Sequence, residues 1–438
     1  MKNLFSITIL LLLTYANIFS QEPEWSNLSI SQMNEEQPRA YYAHYPSEQL
    51  AQINEPLKSP WIMALTSNWQ YNLVSKPSMR PKEFPLPNFD ASTWARIAIP
   101  DKDENKRNFD SIRAFSKTNN PVASYRKVFP IPEDWYNTQI YVRFDGVSQA
   151  CYVWLNGKRV GYTESGMHGA EFNITPYVQY GRMNTLAVQV YGWCDGTAIE
   201  QPDSVWGLYS NVAIVSIPNF AIRDFALLAE LAPDKKSGTL LLNLSLKNYS
   251  KEIKGKYKLI VSMKDEKNKE LFTPIVRDVN ATKKSDSLIV INQNVSKIKA
   301  WQNNDPNLYS IVVTLRDNNN KIIDAIGSKV GFRNISKTNN EILVNNIAVN
   351  VDSIAALQSF GTLNALTICT KQGIYLTDNL IQPQGNNATE LLYRLKKQYE
   401  RDKNNIAIIR WNIGSKQHTS YETILNWLQQ KDKTRIVE

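Results

Sequence analysis

Over residues 61–218, apolar and polar side chains change places at every second position in short runs. Gln139-Ile140-Tyr141-Val142-Arg143-Phe144 is one such run, and residues 186–190 form another. A period of two sends neighbouring side chains to opposite faces of a sheet, so each run is predicted to be a strand. Two further runs flank Asn156-Gly157, a dipeptide that suits the two left-handed positions of a tight hairpin. Many short strands divided by turn residues predict a jelly-roll β-sandwich over residues 21–220. The pattern continues over 221–336, with strands predicted at 240–246, 257–263, 288–292 and 309–315. A turn at Asn318-Asn319-Asn320 precedes another at 322–326. Strand number and spacing there suit an immunoglobulin-like sandwich.

Beyond Asn340 the period changes. Ile374-Tyr375-Leu376 is a short apolar strand candidate. Residues 389–403 place Leu391, Leu392, Leu395 and Tyr399 on one helical face, with charged residues opposite. Residues 406–411 are almost continuously apolar, the pattern of a strand covered on both faces. Ser420 is placed to cap a helix over 421–430, and 435–437 starts another strand. Alternating strands and helices predict α/β structure. A closed (β/α)8 barrel takes roughly 250 residues. Residues 337–438 are therefore expected to be an incomplete, barrel-derived segment. Its exposed strand edge would seek a homo- or hetero-oligomeric partner.

Composition narrows the function classes. The formal net charge is +9, from 50 basic and 41 acidic residues, but mixed runs such as Lys264-Asp265-Glu266-Lys267-Asn268-Lys269 spread it. No nucleic-acid partner is expected without a basic cluster. At the N-terminus, Lys2 precedes an apolar run over residues 4–19, and Ser20 stands before Gln21. That is the layout of a signal peptide over 1–20, which implies export to the periplasm or the extracellular space. No later run is apolar enough to span a membrane. Cys151, Cys194 and Cys369 are too few for a disulfide framework. Buried thiols are expected, with a Cys151–Cys194 pair as the alternative. His44, His168 and His418 stand at no metal-ligand spacing, and no cofactor is expected.

An ordered chain of motifs resembles the glycoside hydrolase family 2 β-galactosidases. Asn120-Pro121-Val122-Ala123-Ser124-Tyr125-Arg126 and Phe129-Pro130-Ile131-Pro132 resemble "NPxGxYRRxFxxP". Phe144-Asp145-Gly146-Val147, Trp154-Leu155-Asn156-Gly157, Val160-Gly161-Tyr162 and Ser165 resemble "FxGVxSAFxxWxNGxxVGYxxxS". Trp193-Cys194-Asp195-Gly196 with Gly207-Leu208-Tyr209 echoes "WSDGxxLExQDxWxxSGIxR". Trp301, Pro306-Asn307-Leu308-Tyr309 and Gly331-Phe332-Arg333 resemble "WxxxxPNLYxL … GFR". Ile408-Ile409-Arg410-Trp411-Asn412-Ile413-Gly414-Ser415-Lys416 resembles "IIWSLGNE". The resemblance implies the two sandwiches followed by barrel, and a carbohydrate ligand.

It also implies roles for single residues. Asp195 matches an Asp that contacts sugar hydroxyls and a sodium ion; the alternative is a turn Asp bonding its own backbone. Lys416 stands where the family has its acid/base Glu. Gln382 and Gln384 stand where "GIYVIDEANIETHG" carries a Glu and a His of the magnesium site, whose third ligand is that same acid/base Glu. Two carboxylates and an imidazole thus become two amides and an ammonium, which magnesium does not select. Retaining glycosidases need two carboxyl groups about 5–5.5 Å apart. The nucleophile motif has no match, and Glu438 falls in an echo of "TRPVxYE". Residues 364–367 are read as the remnant of a family loop, "NAVRTSHYP". The expectation is an exported β-galactosidase-like protein of carbohydrate metabolism that binds sugar weakly and catalyses nothing. The alternatives are a β-galactosidase completed by another chain and a lectin-like or adhesion module. Trp154, Tyr162, Trp193, Trp206 and Tyr209 are predicted to be core before sugar platforms.

Overall fold

The computed structural model describes residues 23–100, 115–195, 206–282, 286–338, 341–357, 363–380, 388–415 and 420–438. The predicted signal peptide lies outside them. Among the described residues no helix is long and apolar enough to cross a membrane.

The first unit is a sandwich of a seven-stranded and a four-stranded sheet. In the larger sheet, Met183–Tyr191 lies at the centre, between Val122–Pro130 and Cys151–Leu155. The predicted hairpin joins Cys151–Leu155 to Lys158–Thr163. Asn156 at φ 51° and Gly157 at φ 79° supply its two left-handed residues. The inner face packs Trp69, Phe129, Phe144, Phe172, Leu186 and Val188 into one core. The alternation predicts a polar outer face for Met183–Tyr191, yet all its residues after Met183 are buried. The N-terminal segment crosses that outer face. Trp25, Ile30 and Met33 pack on Tyr152, Tyr162 and Tyr191.

The second unit is a seven-stranded sandwich. Phe220–Leu231, Ser237–Asn248 and Asp286–Ser296 form one sheet. Ile275–Ala281, Gly255–Lys264, Tyr309–Arg316 and Ile322–Val330 form the other. Ser237–Asn248 alternates strictly between core and half-buried positions, and Leu240, Leu242, Leu244 and Leu246 point inward. Residues 35–45 tie the sandwiches together. Tyr42 donates to the Ile222 carbonyl (2.7 Å), and buried His44 Nδ1 lies 3.0 Å from Asp324 Oδ1.

The C-terminal unit holds four parallel strands in chain order: Ala355–Leu357, Leu376–Asn379, Ile408–Asn412 and Ile436–Val437. Helices Leu363–Gln372, Ala388–Asp402 and Tyr421–Lys431 connect them. Residues 364–367 lie within the first of these helices. Leu366 and Thr370, one turn apart, are buried there, and the Trp301 indole donates to the Thr370 carbonyl (2.9 Å). Gly373 ends that helix at φ 70°, where a Cβ would sit 2.7 Å from the Gln302 carbonyl oxygen. The next strand begins at Leu376, later than predicted. Ser420 takes the N-cap position without a side-chain cap hydrogen bond. Leu391, Leu395, Ile408, Trp411, Ile424 and Leu428 form the unit's core. Its long helix docks on the first sandwich through Tyr393–Gln32 (2.7 Å) and the Lys397–Glu35 pair. Lys403 reaches Asp224 of the second sandwich at 2.6 Å.

Candidate functional site

Asp195 follows the central strand of the large sheet. The chain leaves Tyr191 through a turn that Asn120 fixes on both sides. Its Oδ1 accepts from the Trp193 N–H (3.0 Å) and its Nδ2 donates to the Trp193 carbonyl (3.1 Å). The Asp195 N–H donates to the Trp25 carbonyl (2.9 Å). Trp25 stacks on Tyr191 at 5.5 Å and meets the edge of Trp193 at 6.2 Å. Behind it, the Tyr152 hydroxyl accepts from the Trp25 N–H (3.3 Å) and donates to Glu24 (3.1 Å), which pairs with Arg159 at 2.7 Å. The N-terminal segment thus holds the Asp195 turn from behind. Nothing in the spacing of Trp25 and Asp195, 170 positions apart in sequence, pointed to this.

The Asp195 side chain keeps 23% of its surface exposed, and Lys117 Nζ lies 3.8 Å from its Oδ2. A partly exposed carboxylate suits a sugar hydroxyl as an acceptor. A lysine ammonium there competes with a cation for that carboxylate. The backbone-capping alternative concerns residues from Gly196 onward, outside the described set. Of the aromatic candidates, Tyr162 and Trp206 are core residues. Tyr209 closes over Gly146 and donates to the Met167 carbonyl (3.0 Å). Trp154 and Trp193 are partly exposed.

The second place to look is the face formed by the C-terminal ends of the four parallel strands. Lys416, Gln382 and Gln384 lie outside the described residues, so the magnesium-ligand and acid/base positions are known from sequence alone. The described edge is built of amides. Asn412 Nδ2 donates to Asn379 Oδ1 (2.8 Å), and Gly414 N–H donates back to Asn412 Oδ1 (3.0 Å). Two carboxyl groups lie near it. Asp378 is fully buried and accepts from Gln398 Nε2 (2.7 Å). Burial, then the neighbouring Asp402 charge, pushes its carboxyl well above the usual range. Glu438 accepts from Arg410 Nη1 (2.9 Å) and from Lys337. Burial alone would raise its pKa, but those two cations hold it below its ordinary value. Neither is a free acid facing a cleft. Among the described residues no hydrogen bond or ion pair joins Asp195 to this face.

Sequence reasoning also missed a charged seam. Residues 35–42, the first sandwich and the long helix enclose a cavity of about 60 Å³ lined by Glu35, Arg39, Arg143, Glu171, Lys397 and Arg401. Arg39 grips Glu171 through two hydrogen bonds of 2.9 and 2.6 Å. Burial pushes the Glu171 carboxyl up, but Arg39, Arg223 and Arg143 together bring it down to about 2. Partners so distant in sequence leave no local pattern to read.

Comparison with known proteins places two family domains on the chain. The sugar binding domain of glycosyl hydrolases family 2 matches residues 62–218, and a second glycosyl hydrolases family 2 domain matches residues 220–333. Relatives named beta-galactosidase include one from Priestia megaterium, 26% identical over 95% of this chain and 47% of its own length. Another from Psychromonas ingrahamii is 24% identical over 95% of this chain and 46% of its own. Among solved structures, a Bacteroides uniformis beta-glucuronidase superposes with a TM-score of 0.72. It is 18% identical and aligns over 86% of this chain and 52% of its own. A putative beta-galactosidase from Bacteroides fragilis gives 0.69 at 16% identity, over 86% of this chain and 63% of its own. At such identity these structures speak for the fold. The chain spans about half the length of the relatives it matches.

Proposed function

The chain belongs to glycoside hydrolase family 2, through two domains that together cover more than half of it, and from that premise we propose that it binds β-galactosides or related sugars without hydrolysing them. One observation carries this reading. The strand Ile408–Asn412 leads into Gly414-Ser415-Lys416, where the family motif ends in its proton donor. A lysine with an ordinary pKa near ~10.4 is a cation at neutral pH and offers no carboxyl proton to a leaving sugar oxygen. The described carboxyl groups near the strand ends support the same reading. Asp378 is buried, and Glu438 is engaged by two cations. Two amides and an ammonium at the family's magnesium positions, Gln382, Gln384 and Lys416, do not suit that ion.

Binding rests on Asp195 in this proposal. Its carboxylate accepts sugar hydroxyls, while Trp193 offers a partly exposed ring beside it. The protein acts after export, which the apolar run following Lys2 supports. A second reading, a glycosidase completed by another chain, draws on the parallel sheet. Its outer strands Ala355–Leu357 and Ile436–Val437 each pair with one neighbour among the described residues.

The test is release of the chromophore from aryl β-galactosides by the purified protein, with Lys416→Glu alongside. No turnover above buffer is expected for the natural sequence. Turnover by that sequence alone overturns the proposal, and turnover only with a co-purifying chain favours the second reading.

A further inference from the structure

At the opposite ends of the parallel strands, a small cavity opens between the second sandwich and the C-terminal unit. It measures about 20 Å³, room for a water-sized group, and its mouth is open to solvent. Lys329, Arg333 and Arg435 line it, together with Gly331, Asn404 and Thr434. The two guanidiniums are provided for unequally. Arg435 bonds Asp432 (2.5 Å) and the carbonyls of Ile408, Lys403 and Asn405 (each 2.9 Å). Arg333 is 9% exposed, and among the described residues its guanidinium makes one hydrogen bond, from Nη2 to that same Ile408 carbonyl (2.7 Å). Its Nε is buried without an acceptor. Among the described residues no carboxylate pairs with it.

A buried cation is ordinarily paired, because losing water without gaining a counter-charge is costly. Here a guanidinium with spare donors sits beside a second guanidinium whose one carboxylate partner among the described residues is already engaged. Lys329 adds a third positive charge at the rim, where its Nζ donates to Ser310 (2.7 Å). Asn404 accepts from the Leu227 N–H through its Oδ1 and donates one amide N–H to the Phe225 carbonyl, which leaves its second N–H. The cavity therefore offers positive charge and N–H donors.

We propose that this cavity is an anion site, in which an oxygen of phosphate or sulfate sits against Arg333 while Lys329 closes over the rest of the ion. The protonation balance agrees. Burial, then the charge of Arg435, lowers the Arg333 pKa to about 9. Burial, then Lys371, lowers that of Lys329. A bound anion reverses both. The site is separate from Asp195 and from the strand ends at Asn379 and Asn412, so it stands or falls independently of the sugar reading.

The test is thermal unfolding of the full chain with inorganic phosphate or sulfate, against chloride at equal ionic strength. Titrating over roughly 1–20 mM keeps the general salting effect of such ions small. A saturable rise of roughly 2 °C is expected with the oxyanions. Arg333→Gln also removes the Ile408 contact, so Lys329→Gln is the working variant, with Lys256→Gln on the second sandwich as control. The oxyanion rise should shrink by at least half in Lys329→Gln and persist in Lys256→Gln. No saturable difference from chloride overturns the site. An equal rise in Lys329→Gln and the natural sequence does so as well.

Discussion

Two regions of this molecule, the Asp195 turn and the strand-end face of the C-terminal unit, are the places where the proposed function puts sugar binding and the lost chemistry, and they are built differently. The turn after the central strand of the first sandwich keeps a carboxylate, Asp195, half-open to solvent and braced by Asn120 and Trp25. The strand-end face of the C-terminal unit keeps its scaffold, with buried Trp411 and the Asn379–Asn412 amide pair, but no free acid among the described residues. The difference teaches that holding a sugar and breaking its glycosidic bond make separate demands on sequence. A hydrogen-bond acceptor on a braced turn suffices for the first, whereas the second needs two carboxyl groups at a fixed spacing.

The largest way to break the comparison is to unfold one region alone. Trp411 is fully buried and its indole donates to Asp432 (2.9 Å). Trp411→Ala should cost the C-terminal unit roughly 3–5 kcal/mol. Limited proteolysis should then cut within residues 341–438, while sugar affinity at Asp195 survives. A variant that loses sugar binding and proteolytic resistance together would mean that the regions are one cooperative site.

Acid should act on the seam between them. The Glu171 carboxyl titrates near 2 in the folded protein, below the unfolded value of about 4.3. Its stabilising effect is therefore complete above about pH 4.3 and lost as pH falls towards 2, by up to about 3 kcal/mol. Arg39→Ala should flatten that limb of a denaturation-against-pH curve. An unchanged slope would show that the Arg39–Glu171 pair contributes little. The smallest effect concerns the brace itself. Trp25→Ala leaves Asp195 in place but removes the rings' mutual support, and should weaken galactose binding roughly tenfold, about 1.4 kcal/mol. Unaltered affinity would show that the Trp25 ring adds nothing to the backbone bond, which alanine keeps.

Much of the fold was legible because the sandwiches obey a period of two. Asn156-Gly157 marked its hairpin, and 240–246 showed its inward leucines. What escaped had physical reasons. The outer face of Met183–Tyr191 is covered at its Tyr191 end by the N-terminal segment, far away in sequence, so alternation misstated its burial. Leu363–Gln372 buries only Leu366 and Thr370, too weak a stripe to announce a helix. Asp195 is a candidate by resemblance alone, and the contacts around its turn left no mark in the sequence. Trp25 acts through a backbone carbonyl, which no side-chain pattern encodes.

That sugar is held but not cleaved is tested most directly by calorimetric titration with an aryl β-galactoside, because one trace reads both events. A saturating binding heat that Asp195→Ala abolishes is expected, with a flat baseline between injections. A sustained heat that scales with protein concentration would be hydrolysis, and would contradict it.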